Sequence, residues 1–281
     1  MIRLFKPLRV LLAAGCFALV NAAFLVPMIA AAFCTDGVAQ PSVAAAWQLW
    51  PAMVALNVPV VCAILAVTAL MGRIYCSTLC PLGVYQDIVI RIRRIFAPKA
   101  GAARARDISP WNRTRYAVFT LALVSALAGF MALPALIEPY SVYGRFVTQL
   151  VRPALQWAVN LLAAWCDAHD KYWVMGYEVF VAGFLSFWVA VASVIAVTAL
   201  AALKGRWFCN AVCPVGTLLS LVSRRPLVKL SIDAQKCVKC GMCARVCKAV
   251  CIDVASGKID NSRCVRCFNC IGACKKGAVK L

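Results

Sequence analysis

Charge is what this sequence has least of. Only 14% of its 281 residues are Asp, Glu, Lys or Arg, against about 25% in ordinary soluble domains. With 64% hydrophobic residues and a mean hydropathy of +0.84, that scarcity excludes a typical soluble domain and indicates an integral membrane protein. Acid is scarcer still: ten Asp and Glu stand against thirty Lys and Arg, a net charge of +20. Histidine occurs once, as His169. No C-x-x-C-H occurs, which excludes a covalently attached c-type haem.

Four stretches carry no charge and are long enough to span a bilayer: Val10–Thr35, Val38–Gly72, Tyr116–Ile137 and Val179–Leu203. The second is over-long, and its useful core is expected from Ala52 to Met71, with Pro51 and Pro59 shaping the entry. Trp47, Trp50 and Trp173 sit near span ends, as interfacial aromatics do. The basic residues fix an orientation. Of the 30 Lys and Arg, 27 fall in the leader, in the loop after the second stretch and in the tail from Lys204 onward. The positive-inside rule makes that side cytoplasmic, with both termini inside, as in a multi-pass protein of a bacterial inner membrane. Nucleic acid is then a poor explanation of the charge. "LAAGC" at 12–16 hints at a lipobox, but the uncharged run is too long for a cleaved leader. Residues 146–166 are apolar yet interrupted by Arg152, Pro153, Gln156 and Asn160, and read as an amphipathic helix at the outer interface.

Seventeen cysteines are present, too many and too ordered for packing alone. "GRIYCSTLCPLGV" at 72–84 returns as "GRWFCNAVCPVGT" at 205–217, a constant offset of 133 residues. Each copy follows a long apolar stretch, so the chain reads as a parallel repeat of a two-span unit ending in a C-x-x-x-C-P frame. Cys76 and Cys80, like Cys209 and Cys213, lie four apart and share a face if helical. Arg73 and Arg206 place a cation near each pair, which would lower thiol pKa values. Three readings stay open: metal or cluster ligands, with all four converging about the pseudo-twofold; redox-active thiols; or small buried residues that seat the tail.

The tail is more specific. "CVKCGMCARVCK" supplies Cys237, Cys240, Cys243 and Cys247, and "CVRCFNCIGACK" supplies Cys264, Cys267, Cys270 and Cys274. Two C-x2-C-x2-C-x3-C runs are the bacterial two-cluster ferredoxin pattern, in which the fourth cysteine of each run ligates the other cluster. One [4Fe-4S] cluster then takes Cys237, Cys240, Cys243 and Cys274, and the second takes Cys264, Cys267, Cys270 and Cys247. Zinc knuckles close with four ligands and do not need this interlocking. Lys248 and Lys275 stand where Pro usually follows the last cysteine, a change expected to loosen a turn. Cys251 reads as core packing. Cys16 and Cys62 read as packing within spans, and Cys34 and Cys166 as a candidate outer disulfide pair.

The expected architecture is an α-helical membrane protein of four transmembrane helices with a C-terminal α+β two-cluster ferredoxin domain. Residues 1–84 form the first repeat, 85–115 a basic cytoplasmic loop, 116–224 the second repeat and 225–281 the ferredoxin domain. This combination resembles the NapH/NosR/CcoG group of membrane-bound polyferredoxins over nearly the whole chain. In size it is most similar to NapH, the quinol-dehydrogenase ferredoxin subunit of periplasmic nitrate reduction, and to MauN. Nothing in it resembles the flavin-bearing domain of NosR. The resemblance implies quinol oxidation and electron delivery to another ferredoxin, a cytochrome or an oxidoreductase subunit. It leaves the role of the frames open. Two rival functions are a CcoG-like copper reductase or assembly factor, with copper on the frame cysteines, and a non-enzymatic anchor or redox sensor of a respiratory complex.

Quinol oxidation needs a proton acceptor. Glu138, in "IEPYSVYGR" at the outer end of the third stretch, is the better candidate, because an acid at a membrane boundary is costly unless used. His169 is the second, with a solvated loop residue as its alternative reading. Asp87 reads as a cytoplasmic interface residue. A quinol site on the outer side would stand far from cytoplasmic clusters.

Overall fold

The computed structural model describes residues 5–32, 46–97, 112–169, 176, 179 and 183–281. Cys34 and Trp173 lie outside the described residues, and so does one partner of the candidate Cys34–Cys166 pair. The described chain is predominantly helical, with two small antiparallel ribbons confined to the tail.

Among the described residues, two helices are long and apolar enough to cross a bilayer: one within α1 (Phe5–Ala32) and α10 (Phe184–Lys204). The other two expected spans are broken. The second divides into α2 (Leu49–Val54) and α3 (Val58–Met71), separated at Leu56, whose φ is +53°. Asn57 then precedes Val58–Pro59, a proline favoured in a first helical turn because its missing N–H has no partner there anyway. The 14 residues of α3 reach about 21 Å, short of the roughly 30 Å of a bilayer core. The third divides into α6 (Asn112–Leu127) and α7 (Ala132–Ile137) around Gly129, at φ +82°. Glycine tolerates that left-handed turn.

The frames form compact helix–turn–helix corners. The first is α4 (Tyr75–Thr78) and α5 (Pro81–Phe96). The second is α11 (Trp207–Ala211) and α12 (Pro214–Val222). Cys80 and Cys213 are the N-caps of α5 and α12, each followed by proline at the first helical position. Gly72 and Gly205, at φ +79° and +71°, turn the chain out of the preceding helix in both copies.

Glu138 caps α8 (Pro139–Phe146), its Oε2 accepting from the Ser141 amide at 2.8 Å. A π-helical turn, Val147–Val151, leads into α9 (Arg152–Asp167). This run packs against α5: the Phe146 and Tyr85 rings lie 5.4 Å apart. Tyr143 stacks on Phe17 and donates to Asn21 Oδ1 at 2.8 Å. The segment expected on the face opposite the frames therefore begins beside the helix that follows the first frame.

In the tail, β1 (Ser231–Ile232) pairs with β4 (Val279–Lys280), joining the two ends of the domain. The second ribbon pairs β2 (Ile252–Asp253) with β3 (Lys258–Ile259). Short helices α13 (Met242–Arg245) and α14 (Asn269–Ala273) follow the second cysteine of each run.

Candidate functional site

The two cysteine runs share one backbone design. Lys239 and Arg266, just before the second cysteine, have φ of +50° and +52°. Gly241 and Phe268, just after it, have +72° and +56°. Left-handed residues alternating with right-handed ones turn amides and thiols to the inside of a concave loop, the kind of nest that suits an anionic iron–sulfur group. Three of these four positions are not glycine, so the conformation is strained and held by its surroundings.

The fold gathers the thiols into two sets. Cys237, Cys240, Cys243 and Cys274 line one cavity of about 310 Å³, open at the surface. Cys247, Cys264, Cys267 and Cys270 line a second, narrower and internal, of about 10 Å³. Each set takes three thiols from one run and one from the other. The donors are all sulfur, the ligand type that [4Fe-4S] clusters require. Cys251 joins the second set, its Sγ 3.6 Å from that of Cys247. It lies in the wall of the site, a position its spacing outside the runs did not reveal.

The internal set faces the frames. Arg206 N donates to the Lys248 carbonyl at 2.9 Å and Asn210 Nδ2 to that of Ala249 at 3.3 Å. Arg94 reaches the Val246 carbonyl at 3.0 Å, and Arg73 the Ser262 carbonyl at 3.4 Å. Arg266, wholly buried, lies against Gly72, where a Cβ would stand 2.7 Å from its Nε. Asp87 is the electrostatic centre of this seam, with Arg206 at 2.7 Å, Lys248 at 2.8 Å and Arg9 at 3.3 Å. Burial alone would raise the Asp87 carboxyl, but the Arg206 and Lys248 charges outweigh it and bring it down to about 2. Lys248, the departure from Pro, thus holds the tail to the frames. Its proximity to Asp87 was not legible from either residue.

The frames meet across a pseudo-twofold. Arg73 Nη2 donates to the Cys209 carbonyl at 2.9 Å, and Arg206 Nη1 to the Cys76 carbonyl at 2.5 Å. Each arginine of the repeat holds the first cysteine of the other copy. The recurring glycine follows from this: a Cβ on Gly83 would run into the Cys76 carbonyl oxygen and the Arg206 guanidinium, and one on Gly216 into the Cys209 oxygen and Arg73. Replacing either glycine by Ala is expected to lower stability by roughly 1–3 kcal/mol through overpacking against backbone. Gly15→Ala, whose Cβ meets nothing, is the control. Thermal unfolding of the detergent-solubilised variants measures both.

All four frame thiols are buried. At three of them the arginines do not lower the thiol as their spacing suggested. Burial pushes Cys80, Cys209 and Cys213 above the ordinary thiol value, and for Cys80 and Cys209 the Arg206 charge offsets only part of it.

Beside the first frame lies an apolar groove of about 440 Å³, walled by Trp47, Pro59, Ile64, Val67, Tyr75 and Leu79. At its polar edge the Tyr75 hydroxyl donates to Gln48 Oε1 at 2.8 Å and accepts from the Leu49 amide at 3.0 Å. Glu138 is fully buried, with Oε1 free of any hydrogen bond, and is not among the residues that wall the groove. His169 is exposed, stacked 4.5 Å from Trp165 and bonded to its carbonyl, and is not part of this groove.

A model of a 4Fe-4S binding domain family matches residues 56–99 and 186–232. Those two spans contain both frames and end before Cys237. The chain is 27% identical to the methylamine utilization ferredoxin-type protein MauN of Methylorubrum extorquens over 63% of its own length and 47% of the relative's. It is 26% identical to MauN of Paracoccus denitrificans over 63% of its length and 48% of the relative's. An uncharacterized protein of Methanocaldococcus jannaschii is 51% identical over 41 residues, 15% of this chain and 17% of that protein. The matched region thus spans less than half the length of these relatives. No solved structure matches the chain. Residues 56–99 and 186–232 are thus similar to a 4Fe-4S binding domain family, and over 63% of its length the chain is similar to the ferredoxin-type MauN proteins.

Proposed function

We propose that the protein is a membrane-bound iron–sulfur relay that takes electrons from quinol and passes them, through two [4Fe-4S] clusters in the tail, to a partner redox protein. The observation that carries this reading is the order of the parts. The apolar groove adjoins the first frame, the frames adjoin the internal thiol set, and the second thiol set opens at the surface. The packing of Pro139–Phe146 against the helix after the first frame brings Glu138 toward the same end of the molecule as the thiols. A quinol seated in the groove therefore needs no long transfer from an outer face.

The groove suits an isoprenoid quinol: the walls are hydrocarbon, and the Tyr75 hydroxyl oxygen, whose proton goes to Gln48, keeps a lone pair that can accept from a quinol hydroxyl. Oxidation of one quinol releases two protons and two electrons. Glu138 is the proposed acceptor of a proton, ahead of the exposed His169, because it is fully buried and its carboxylate has an unpartnered oxygen. Iron–sulfur clusters take electrons singly, so two clusters accommodate the pair. Lys236, Lys239, Lys275 and Lys276 surround the surface set and suit an acidic face on the recipient, on the cytoplasmic side where both termini are proposed to lie.

Those cations favour the reduced clusters, since each added electron adds negative charge. The expected midpoint potentials lie above those of acidic low-potential ferredoxins, and an anaerobic redox titration of the full-length protein checks this. Menaquinol added to the same preparation is expected to bleach the cluster absorption. A protein with intact clusters that menaquinol leaves oxidised, while dithionite reduces it, refutes the relay.

A further inference from the structure

We propose that Cys76, Cys80, Cys209 and Cys213 together hold a third [4Fe-4S] cluster, placed on the pseudo-twofold between the frames and next to the internal thiol set of the tail. The inference rests on the iron–sulfur reading above and names a site which that reading does not need.

The two frames interlock around their first cysteines. The Arg73 guanidinium lies 3.8 Å from Cys76 Sγ and bonds the Cys209 carbonyl, so it touches both frames at once, and Arg206 bonds the Cys76 carbonyl in return. Cys80 and Cys213, both buried, cap the helices whose Gly83 and Gly216 pack on those same two carbonyls. Two thiols come from each repeat, the ligand division a shared cubane needs. A single metal ion requires its donors in contact with one centre. Among the described residues, no three Cys, His, Asp or Glu side chains are close enough for that. A cubane attaches each thiolate to a different iron and spreads the sulfurs apart.

Charge points the same way. Arg73 and Arg206 are both wholly buried. Asp87 already serves Arg206, Arg9 and Lys248, and Arg73 has no carboxylate partner among the described residues. A buried guanidinium without a counter-charge is costly. A cubane with four thiolates is a dianion when oxidised, and it would supply the missing charge from the side where the sulfurs are. Two hydrogen-bond donors are also left over. Arg73 Nε and Gln86 Nε2 are buried without a partner. Gln86 itself is wholly buried, and its Oε1 accepts from the Cys209 thiol at 3.5 Å; opposite a thiolate the same amide turned over presents Nε2 instead. Donors so placed around sulfur hold and tune a cluster. The 4Fe-4S family match over residues 56–99 and 186–232 falls on these frames and not on the eight tail cysteines.

Iron and acid-labile sulfide counts on the anaerobically purified full-length protein test the site, with copper and zinc measured alongside. The wild type is expected to carry about twelve iron and about twelve sulfide per chain, and the Cys76→Ala/Cys209→Ala variant about eight, with the tail's EPR signals retained. Gln86→Leu keeps every ligand and is expected to leave the iron count unchanged while shifting one midpoint potential. About eight iron in the wild type overturns the third cluster and leaves the relay standing. So does stoichiometric copper or zinc that is lost from the frame variant. A wild type without iron overturns the relay as well. The wild-type count decides even where a frame variant fails to accumulate.

Discussion

Cys274→Ser is expected to abolish the cluster of the first run, although Cys274 belongs to the second. Cys247→Ser, in the first run, is expected to abolish the cluster of the second. Each variant loses about four of the tail's eight iron atoms. The reason is the grouping of thiols in space: Cys274 lines the cavity of Cys237, Cys240 and Cys243, and Cys247 that of Cys264, Cys267 and Cys270. Iron analysis with low-temperature EPR separates the two, because the surface and internal clusters differ in solvent access and nearby charge. Loss of the cluster belonging to the variant's own run would mean that the runs do not interlock. The internal site carries a nearby spare thiol in Cys251, so Cys247→Ser is to be compared with Cys247→Ser/Cys251→Ser.

Asp87→Asn is expected to detach the tail from the frames. The substitution leaves Arg9, Arg206 and Lys248 around a neutral amide in a nearly closed seam. Removing one partner of a buried ion network costs roughly 3–5 kcal/mol, mostly through the charges left behind. Protection from hydrogen exchange at residues 246–249 should fall, and the connector after Val222 should become sensitive to protease. The same residue sets an acid limit. The Asp87 carboxyl lies at about 2 in the folded protein against an ordinary 3.8. A depressed carboxyl stabilises above its unfolded value, so its contribution of about 2 kcal/mol is complete above pH 4 and fades as pH falls through about 2. Docking that survives to pH 4 in the wild type and is already weak at pH 7 in Asp87→Asn fits this; equal docking in both contradicts it.

The parts of this protein that were legible in its sequence are those whose chemistry is local. The gathering of the eight tail cysteines into two sets, each with three thiols from one run and one from the other, followed from their spacing. The duplicated frames were visible at their constant offset, but that the proline after each second cysteine opens a new helix was not. What Arg73, Gly83, Arg206 and Gly216 do was not visible. Each arginine acts on the opposite copy, more than a hundred residues away, and each glycine makes room both for its own copy's cysteine carbonyl and for the other copy's arginine; no local pattern records such contacts. The long apolar stretches were legible as hydrophobic, not as continuous helices: the turn at Leu56 and the glycine at 129 interrupt two of them. Glu138 is legible as a costly acid at the end of an apolar stretch, but not as the buried cap of a helix that packs on the one after the first frame, because that partner comes from a distant part of the chain.

The relay is tested most directly by cutting it in the middle. Full-length wild-type and Cys247→Ser/Cys251→Ser protein, reconstituted in lipid nanodiscs, can be mixed anaerobically with menaquinol and freeze-quenched for EPR. The account predicts that menaquinol reduces the surface cluster of the wild type. In the double variant, which leaves no spare thiol at the internal site, dithionite still reduces that cluster and menaquinol does not, because the internal site is proposed to stand between it and the groove. Reduction of the surface cluster by menaquinol at the wild-type rate in the double variant would contradict the order of transfer on which the whole reading depends.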